Sequence, residues 1–337
     1  MSDKTISLSD IEAAENLLGI EYSQGERELM VDNLEDLIAS AQARRNVIFP
    51  NALPPATTFD PRLPTTRLPA AQKPISISKV EAGALPENDV DIAYSPVTQL
   101  SEWIRSGQIT SRRLVEIYLD RIKTLGPQLE CVVTVLGDLA LEQADDADRM
   151  IADGQYLGPL HGIPYGMKDL FDTKNIRTTW GAVPYKDRIA KKDARIVTLL
   201  REAGAVLVAK TTLGALAYGD IWFGGVTRNP WNIAEGASGS SAGSASATAA
   251  GLVGFSIGTE TLGSITSPSQ RCGTTGLRPT FGRVSRSGAM ALCWSLDKIG
   301  PICRTVEDTV LVLSAINGFD SDDKGSLDAS FNYDASS

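Results

Sequence analysis

A run of sixteen small residues limits the fold of this chain more than any other feature of its sequence. Residues Gly236 to Gly251 read GASGSSAGSASATAAG and contain only Gly, Ala, Ser and Thr. Such a run is either a flexible linker or a segment whose backbone lies close to another backbone or to a ligand. It continues directly into the apolar, strand-like segment LVGFSI rather than into the start of a new domain. The run is therefore predicted to lie inside a domain.

Composition excludes several classes of protein. The 337 residues have a formal net charge of −9, which argues against a general nucleic-acid binder because phosphate-binding surfaces need clustered Lys and Arg. The four cysteines form no C-x-x-C pair and His161 is the single histidine, so no structural zinc site is predicted. There is no signal peptide pattern at the start and no apolar run long enough to span a membrane. We expect a cytoplasmic protein that makes no membrane contact.

The chain divides into three predicted parts. Residues 1–48 form an acidic module of two helices, because SDIE at Ser9–Glu12 and SQGE at Ser23–Glu26 have the spacing of capping boxes. Residues 49–94 are a Pro-rich linker, since eight of the seventeen prolines lie between positions 50 and 86. Residues 95–337 are the main domain.

The main domain alternates helical and strand-like segments. Helices are predicted at Ser111–Leu125, Leu139–Ala152 and Ala194–Ala203, and short buried strands at CVVTVL and AVLVAK. This alternation is typical of an α/β fold whose sheet is covered by helices on both faces.

The small-residue run has three possible roles in such a fold. It could bind a nucleotide phosphate, but no Gly-Lys-Ser/Thr element ends it. It could bind a dinucleotide, but no G-x-G-x-x-G follows a strand here. Its backbone N–H groups could instead stabilise an oxyanion, which leaves acyl chemistry as the interpretation.

Five separated motifs in this order make the chain similar to the amidase signature family, over roughly residues 95 to 323. They are GPLHGIPYGMKD (Gly158–Asp169), GSSAGS (Gly239–Ser244), GTETLGSI (Gly258–Ile265), CGTTGLRPTFGRVSRSG (Cys272–Gly288) and SLDKIGPICRTVED (Ser295–Asp308). The resemblance implies the family's mixed β-sheet with helices on both faces.

The resemblance also implies a Ser-cisSer-Lys triad. Ser264 would be the nucleophile, Ser240 the bridging serine on a cis peptide, and Lys168 the base, which needs burial to become neutral. The oxyanion hole would be made by the backbone N–H groups of four consecutive residues, Thr261, Leu262, Gly263 and Ser264.

Each of these residues also has a structural interpretation. Ser264 could cap the helix that follows it, and Ser240 could serve only close packing. Lys210 is a second candidate base, although the motif favours Lys168, and it could instead end a strand in solvent or neutralise a carboxylate. His161 is interpreted as a structural hydrogen-bonding residue.

Three positions depart from the family pattern. Glu260 and Leu262 stand where Asp and Gly are common, and Thr266 stands where Arg often follows GSI. A leucine at position 262 would be strained if that position required positive φ. The family also continues well beyond the motif near Asp308, so the chain is expected to be C-terminally incomplete.

The resemblance implies an amide hydrolase that acts on a small-molecule amide through an acyl-enzyme intermediate and releases ammonia or an amine. It implies no metal and no organic cofactor. One alternative is the A subunit of a glutamine-dependent aminoacyl-tRNA amidotransferase, and another is a non-catalytic scaffold on a degenerate amidase fold. No direct nucleic-acid contact is expected, and a homo-oligomer is possible.

Overall fold

The computed structural model describes residues 6–68 and 71–336. The chain forms two compact units, the first ending at Leu53 and the second beginning at Pro54. None of the described helices is long and apolar enough to cross a membrane.

The first unit contains two helices, α1 (Leu8–Leu18) and α2 (Gln24–Arg45). The capping box predicted at Ser23 and Glu26 is present at the start of α2. The one predicted at Ser9–Glu12 is wrong, because Ser7 caps α1 and Asp10 supplies the reciprocal side chain. An aspartate at the third helical position makes the same return hydrogen bond as a glutamate, and this moves the helix start by two residues.

The second unit is built from helices around one main sheet. Its α-helices are α3 (Asp89–Tyr94), α4 (Val97–Arg105), α5 (Ser111–Leu129), α6 (Gly137–Ala152), α7 (Arg195–Glu202), α8 (Ala242–Ala249), α9 (Thr266–Cys272) and α10 (Val306–Ile316). Its strands are β1 (Val132–Val135), β2 (Pro164–Lys168), β3 (Val206–Thr211), β4 (Ile221–Trp222), β5 (Gly225–Val226), β6 (Arg228–Asn229), β7 (Asn232–Gly236), β8 (Phe255–Glu260), β9 (Thr275–Gly276) and β10 (Lys298–Cys303).

The main sheet has six strands in the order β1-β3-β2-β8-β10-β9. The central strands β3, β2 and β8 are parallel, whereas β1 and β10 run antiparallel to their neighbours, so the sheet is mixed as predicted. Strands β4 and β5 form one hairpin and β6 and β7 another. The three parallel strands are buried along their whole length, as expected of strands covered on both faces.

Alternate side chains of the central strands enter two different cores. Leu207 joins a core with Trp103 of α4 and Val312 of α10. Val206 and Val208 join a second core on the other side of β3, which is covered by α5, α6 and α8. The prediction of a sheet with helices on both faces is therefore confirmed.

The small-residue run contains helix α8, and every residue of α8 is buried. A Cβ at Gly243 would lie 2.3 Å from the backbone nitrogen of Thr212 and 2.4 Å from the carbonyl oxygen of Cys131. A Cβ at Gly239 would lie 1.9 Å from the carbonyl oxygen of Gly219. The run is composed of small residues because its backbone touches other backbones, and it is not a linker.

Candidate active site

The fold brings together segments that are far apart in the sequence. Lys168 is the last residue of β2, which lies between β3 and β8. Ser240 and Ser241 lie immediately before α8, which packs against β8 and the central sheet. Thr259 is the penultimate residue of β8. These residues meet where β2 and β8 end, at the carboxyl edge of parallel strands, where ligands often bind in open α/β sheets.

Lys168 is completely buried, and its amino group is surrounded by hydroxyl groups. Its Nζ donates to Thr259 Oγ1 at 2.7 Å, to Ser240 Oγ at 2.9 Å and to Ser241 Oγ at 3.0 Å. Burial lowers the pKa of Lys168 to about 7, although the charges of Asp297 and Glu260 act in the opposite direction. A substantial fraction of this lysine is therefore neutral near pH 7 and able to accept a proton.

Ser240 is predicted to bridge Lys168 and Ser264, and the structure shows the lysine side of that arrangement. The peptide bond between Gly239 and Ser240 is cis, and the Ser240 side chain is buried with its hydroxyl against the lysine. The structure therefore brings Lys168 and Ser240 into direct contact.

Ser264 lies in the loop between β8 and α9 and is half-buried. Its carbonyl oxygen accepts a hydrogen bond from the backbone N–H of Ser241 at 3.1 Å, which holds the two serine-bearing segments together. Its hydroxyl makes no hydrogen bond within residues 6–68 and 71–336, either to Ser240 or to any other group. The backbone of Ser264 therefore lies next to the Lys168 cluster, and its hydroxyl has no hydrogen-bond partner among the described residues.

A buried carboxylate holds the loop that carries Ser264. Glu260 accepts hydrogen bonds from the backbone N–H groups of Ile265 and Thr266, both at 2.9 Å, and pairs with Arg278 at 2.9 Å. Burial acts to raise the pKa of Glu260, but the amides of Thr266, Ile265 and Gly263, together with Arg278, bring it down to about 2. Glu260 is therefore an ionised anchor for the loop.

The four predicted oxyanion donors are backbone N–H groups of this loop, those of Thr261, Leu262, Gly263 and Ser264. Gly263 adopts a φ of +80°, whereas Leu262 does not have positive φ, so the strain considered for a leucine at 262 is absent. Within the described residues, the N–H groups of Leu262 and Ser264 donate no backbone hydrogen bond, while that of Gly263 is directed at Glu260. Leu262 is 87% exposed and its side chain points to solvent.

Sequence reasoning missed three residues around the site. Ser241 and Thr259 bind the lysine amino group directly, and their only sequence signal is their position beside Ser240 and Glu260 in the motifs. Asp297 accepts from Thr261 Oγ1 at 2.6 Å, and its other oxygen accepts from two backbone N–H groups of segment 291–297. It therefore ties the start of the loop that carries Ser264 to that segment.

The two other candidate bases, Lys210 and His161, bind groups outside the Lys168 cluster. Lys210 is buried and forms an ion pair with Asp169 at 3.0 Å, so it neutralises a carboxylate rather than ending a strand in solvent. His161 is buried, stacks on Tyr156 and accepts the backbone N–H of Leu157 at 3.0 Å through Nδ1. His161 comes shortly before Pro164, the first residue of β2, whereas Lys168 is the last residue of that strand. The two side chains therefore lie at opposite ends of β2.

Fold and site together define an α/β protein with a buried lysine–serine cluster. The family model described as Amidase matches residues 113–337 of this chain. The chain belongs to this family.

Individual relatives agree with this assignment. The chain is 43% identical over 235 residues to the A subunit of the glutamyl-tRNA(Gln) amidotransferase of Coxiella burnetii, a match that covers 68% of this chain and 48% of the relative. The native peptide amidase of Stenotrophomonas maltophilia is 38% identical, with a TM-score of 0.65 over 68% of this chain and 49% of that one. An amidase family protein from Bacillus anthracis is 33% identical, with a TM-score of 0.65 over 72% and 51% of the two chains. The chain spans about half the length of these relatives.

Proposed function

We propose that this chain carries the catalytic machinery of an amide hydrolase that uses Ser264, Ser240 and Lys168. The observation that supports this most strongly is the buried Lys168 amino group, which contacts three hydroxyls and has a pKa of about 7. A serine hydroxyl attacks a carbonyl carbon only when a nearby base accepts its proton.

The proposed proton and bond changes are these. Neutral Lys168 takes the hydroxyl proton of Ser240 while Ser240 takes that of Ser264, and the Ser264 oxygen bonds to the amide carbon. The negative charge moves to the carbonyl oxygen, where the free N–H groups of Leu262 and Ser264 stabilise it. The C–N bond then breaks, the proton returns from Lys168 through Ser240 to the leaving nitrogen, and ammonia or an amine departs. A water oxygen then bonds to the acyl carbon while its proton passes through Ser240 to Lys168. The bond between that carbon and the Ser264 oxygen breaks, the proton returns to the Ser264 oxygen, and the acid departs.

Covalent labelling tests this proposal. A small alkyl fluorophosphonate should bond to Ser264, because an activated serine attacks phosphorus as it attacks a carbonyl. Mass spectrometry of the digested protein identifies the modified residue. Ser264→Ala should abolish labelling, and Ser267→Ala is a matched control, since Ser267 lies three residues further on and bonds Ser238 instead.

The outcomes separate the proposed roles. Labelling that persists in Ser264→Ala and maps to another serine moves the nucleophile. No labelling of any serine, combined with cooperative unfolding of the same preparation, favours the non-catalytic scaffold.

A second candidate function is supported by the names of the curated relatives. The 43% identity to a protein of the glutamyl-tRNA(Gln) amidotransferase suggests that the amide is that of glutamine and that the ammonia is passed to an aminoacyl-tRNA. The same triad would perform the acyl step. Ammonia release from glutamine, compared with release from simple aliphatic and aryl amides, distinguishes the two functions.

A further inference from the structure

A cavity of about 170 Å³ lies between helices α6 and α7 and strands β2 and β3. An apolar cavity of about 150 Å³ in another protein admits a benzene ring, so this space has room for a molecule of that size. The cavity contains no residue of the proposed triad. Tyr165, which lines it, belongs to the first core, whereas α8, with Ser240 before its start, covers the second.

The hydroxyl of Tyr165 is an available hydrogen-bond donor in this cavity. The residue is 1% exposed and its ring stacks on Phe255 at 5.3 Å, but within the described residues its hydroxyl makes no hydrogen bond, although buried tyrosine hydroxyls normally have a partner. Burial raises the pKa of Tyr165, so the hydroxyl keeps its proton near pH 7. The charges of Arg201 and Asp193 act on the phenol, and both residues line the cavity, so the hydroxyl faces that space.

Gln143 of α6 supplies further available donors. Its side-chain oxygen accepts the backbone N–H of Leu207 at 2.9 Å, which fixes the orientation of the amide. The two hydrogens on its Nε2 then have no acceptor in the part of the chain that the structure describes. Because Gln143 lines the cavity beside Tyr165, the amide and the phenol can donate to the same molecule.

The charged residues around the cavity leave one positive charge in excess. Lys174 and Arg201 are exposed cations, and Asp193 is the single carboxylate among the lining residues. Each oxygen of Asp193 is already used, one by the backbone N–H of Lys174 at 2.7 Å and the other by Arg201 Nη1 at 2.8 Å. Over residues 6–68 and 71–336 the Lys174 amino group makes no ion pair. The side chains thus offer a ligand several donors and a positive charge, but no unused carboxylate oxygen.

We propose that this cavity is a second ligand site, separate from the triad, that binds a small carboxylate with an apolar body about the size of a benzene ring. The carboxylate accepts from the Tyr165 hydroxyl and the Gln143 amide, and the excess positive charge at Lys174 attracts it. The apolar body packs on the aliphatic walls, which include Val197 and Leu207. The site does not depend on the proposed function, because none of these residues takes part in the acyl step.

Calorimetric titration of benzoate into the full chain tests this site. Tyr165→Phe removes a single hydroxyl and should weaken binding about tenfold, because a hydrogen bond to a charged group is lost. Lys174→Met should weaken binding about threefold, and only at low salt, because this lysine is exposed. Lys192→Met is the matched control, since Lys192 is an exposed lysine between Lys174 and α7 that does not line the cavity. No binding of benzoate, or equal affinity in Tyr165→Phe and Lys192→Met, overturns the proposal.

Three further measurements locate the bound molecule and define its class. Lys168→Met should leave the affinity for benzoate unchanged, whereas loss of binding there with full binding in Tyr165→Phe puts benzoate in the candidate active site and contradicts a second site. Benzyl alcohol, a neutral molecule of similar size, should bind at least tenfold more weakly than benzoate, and equal binding removes the preference for a carboxylate. Without ligand, Tyr165→Phe should unfold at the same temperature as the unmodified chain or higher, because the hydroxyl that it loses has no partner. A clear fall in that temperature would show that the hydroxyl is bonded within the protein and is not available to a ligand.

Discussion

Two buried lysines at the ends of neighbouring strands have opposite surroundings. Lys168 ends β2 and Lys210 lies at the same level of β3, where it pairs in register with Met167. Both side chains are 0% exposed. Lys168 contacts three hydroxyls, whereas Lys210 contacts the carboxylate of Asp169 at 3.0 Å and donates to Thr178 Oγ1 at 3.0 Å.

If Lys168 is the base, as proposed, burial alone is not what distinguishes it from Lys210. Burial lowers the pKa of both amino groups, but at Lys210 the ion pair with Asp169 opposes that change. Among the residues that the structure describes, no carboxylate contacts the Lys168 amino group, and the hydroxyl of Ser240 is the proposed proton path to Ser264. A lysine beside hydroxyls can exchange protons with a substrate, whereas an ion-paired lysine holds the structure together.

The largest expected effect is the loss of acylation in Lys168→Met. Without a base, the second-order rate constant for fluorophosphonate labelling of Ser264 should fall by about 10² to 10⁴ at every pH from 6 to 10. The same substitution at Lys210 serves as the matched comparison and should leave the labelling rate of the folded fraction within a few fold. A larger loss in Lys210→Met than in Lys168→Met would reverse the two assignments.

For the free energy of unfolding, we expect the opposite order, with Lys210→Met more harmful than Lys168→Met. Lys210→Met leaves the Asp169 carboxylate buried without its partner, which should lower the free energy of unfolding by about 3 to 5 kcal/mol. Lys168→Met leaves only neutral hydroxyls without their partner and should cost about 1 to 3 kcal/mol. Urea unfolding at pH 7 measures both values. The additional change Asp169→Asn in the Lys210→Met chain should restore part of the loss, because it removes the uncompensated charge.

The contrast between these lysines could be predicted only in part from the sequence. The motifs indicated Lys168 over Lys210, and apolar patterns located β1, β3 and helices α5 to α7 to within a few residues. For Lys210 the sequence left two alternatives, the end of a strand in solvent or the neutralisation of a carboxylate. Contacts such as Lys168 with Thr259 join residues 91 positions apart, and no local pattern specifies which hydroxyls fill the space around an amino group.

The first helix start was wrong for a related reason. Ser7 and Ser9 lie on either side of the start of α1, and which one caps the helix depends on the return contact of Asp10 rather than on spacing alone. Leu262 shows the same limit, since only the backbone conformation reveals that Gly263, not Leu262, takes the positive φ.

The pH dependence of acylation reports the pKa of the base and so tests the assignment of Lys168. With the pKa of Lys168 at about 7, the labelling rate should level off above pH 8 and fall tenfold for each pH unit below about 6. A profile that keeps rising to pH 10 would assign an ordinary lysine pKa to the base and contradict its burial as the activating factor.

Stability provides an independent measure of the same pKa. The unfolded chain has Lys168 at its ordinary value of 10.5, so between pH 7 and 10 the unfolded state binds more protons than the folded state. The folded state is therefore expected to gain stability with rising pH in that window, relative to Lys168→Met. Below pH 7 both states are protonated and the difference between the two chains should become constant. A constant difference from pH 6 to pH 10 would show that the pKa is not lowered.

The smallest effect is expected from His161→Gln. Burial lowers the pKa of His161, so the imidazole is neutral near pH 7, and its Nδ1 accepts the N–H of Leu157 rather than facing the triad. Glutamine retains an acceptor but loses the stacking on Tyr156, so the substitution should cost about 1 kcal/mol of stability and leave the labelling profile unchanged.

This substitution also tests whether any titration near neutral pH belongs to Lys168. A histidine base would give a midpoint near the ordinary pKa of about 6.5, close enough to 7 that the profile alone does not distinguish the two groups. Loss of the titration in His161→Gln, with labelling retained in Lys168→Met, would transfer the role of base to His161. Because His161 and Lys168 lie at opposite ends of β2, we expect the reverse: the midpoint stays near 7 in His161→Gln and disappears with Lys168.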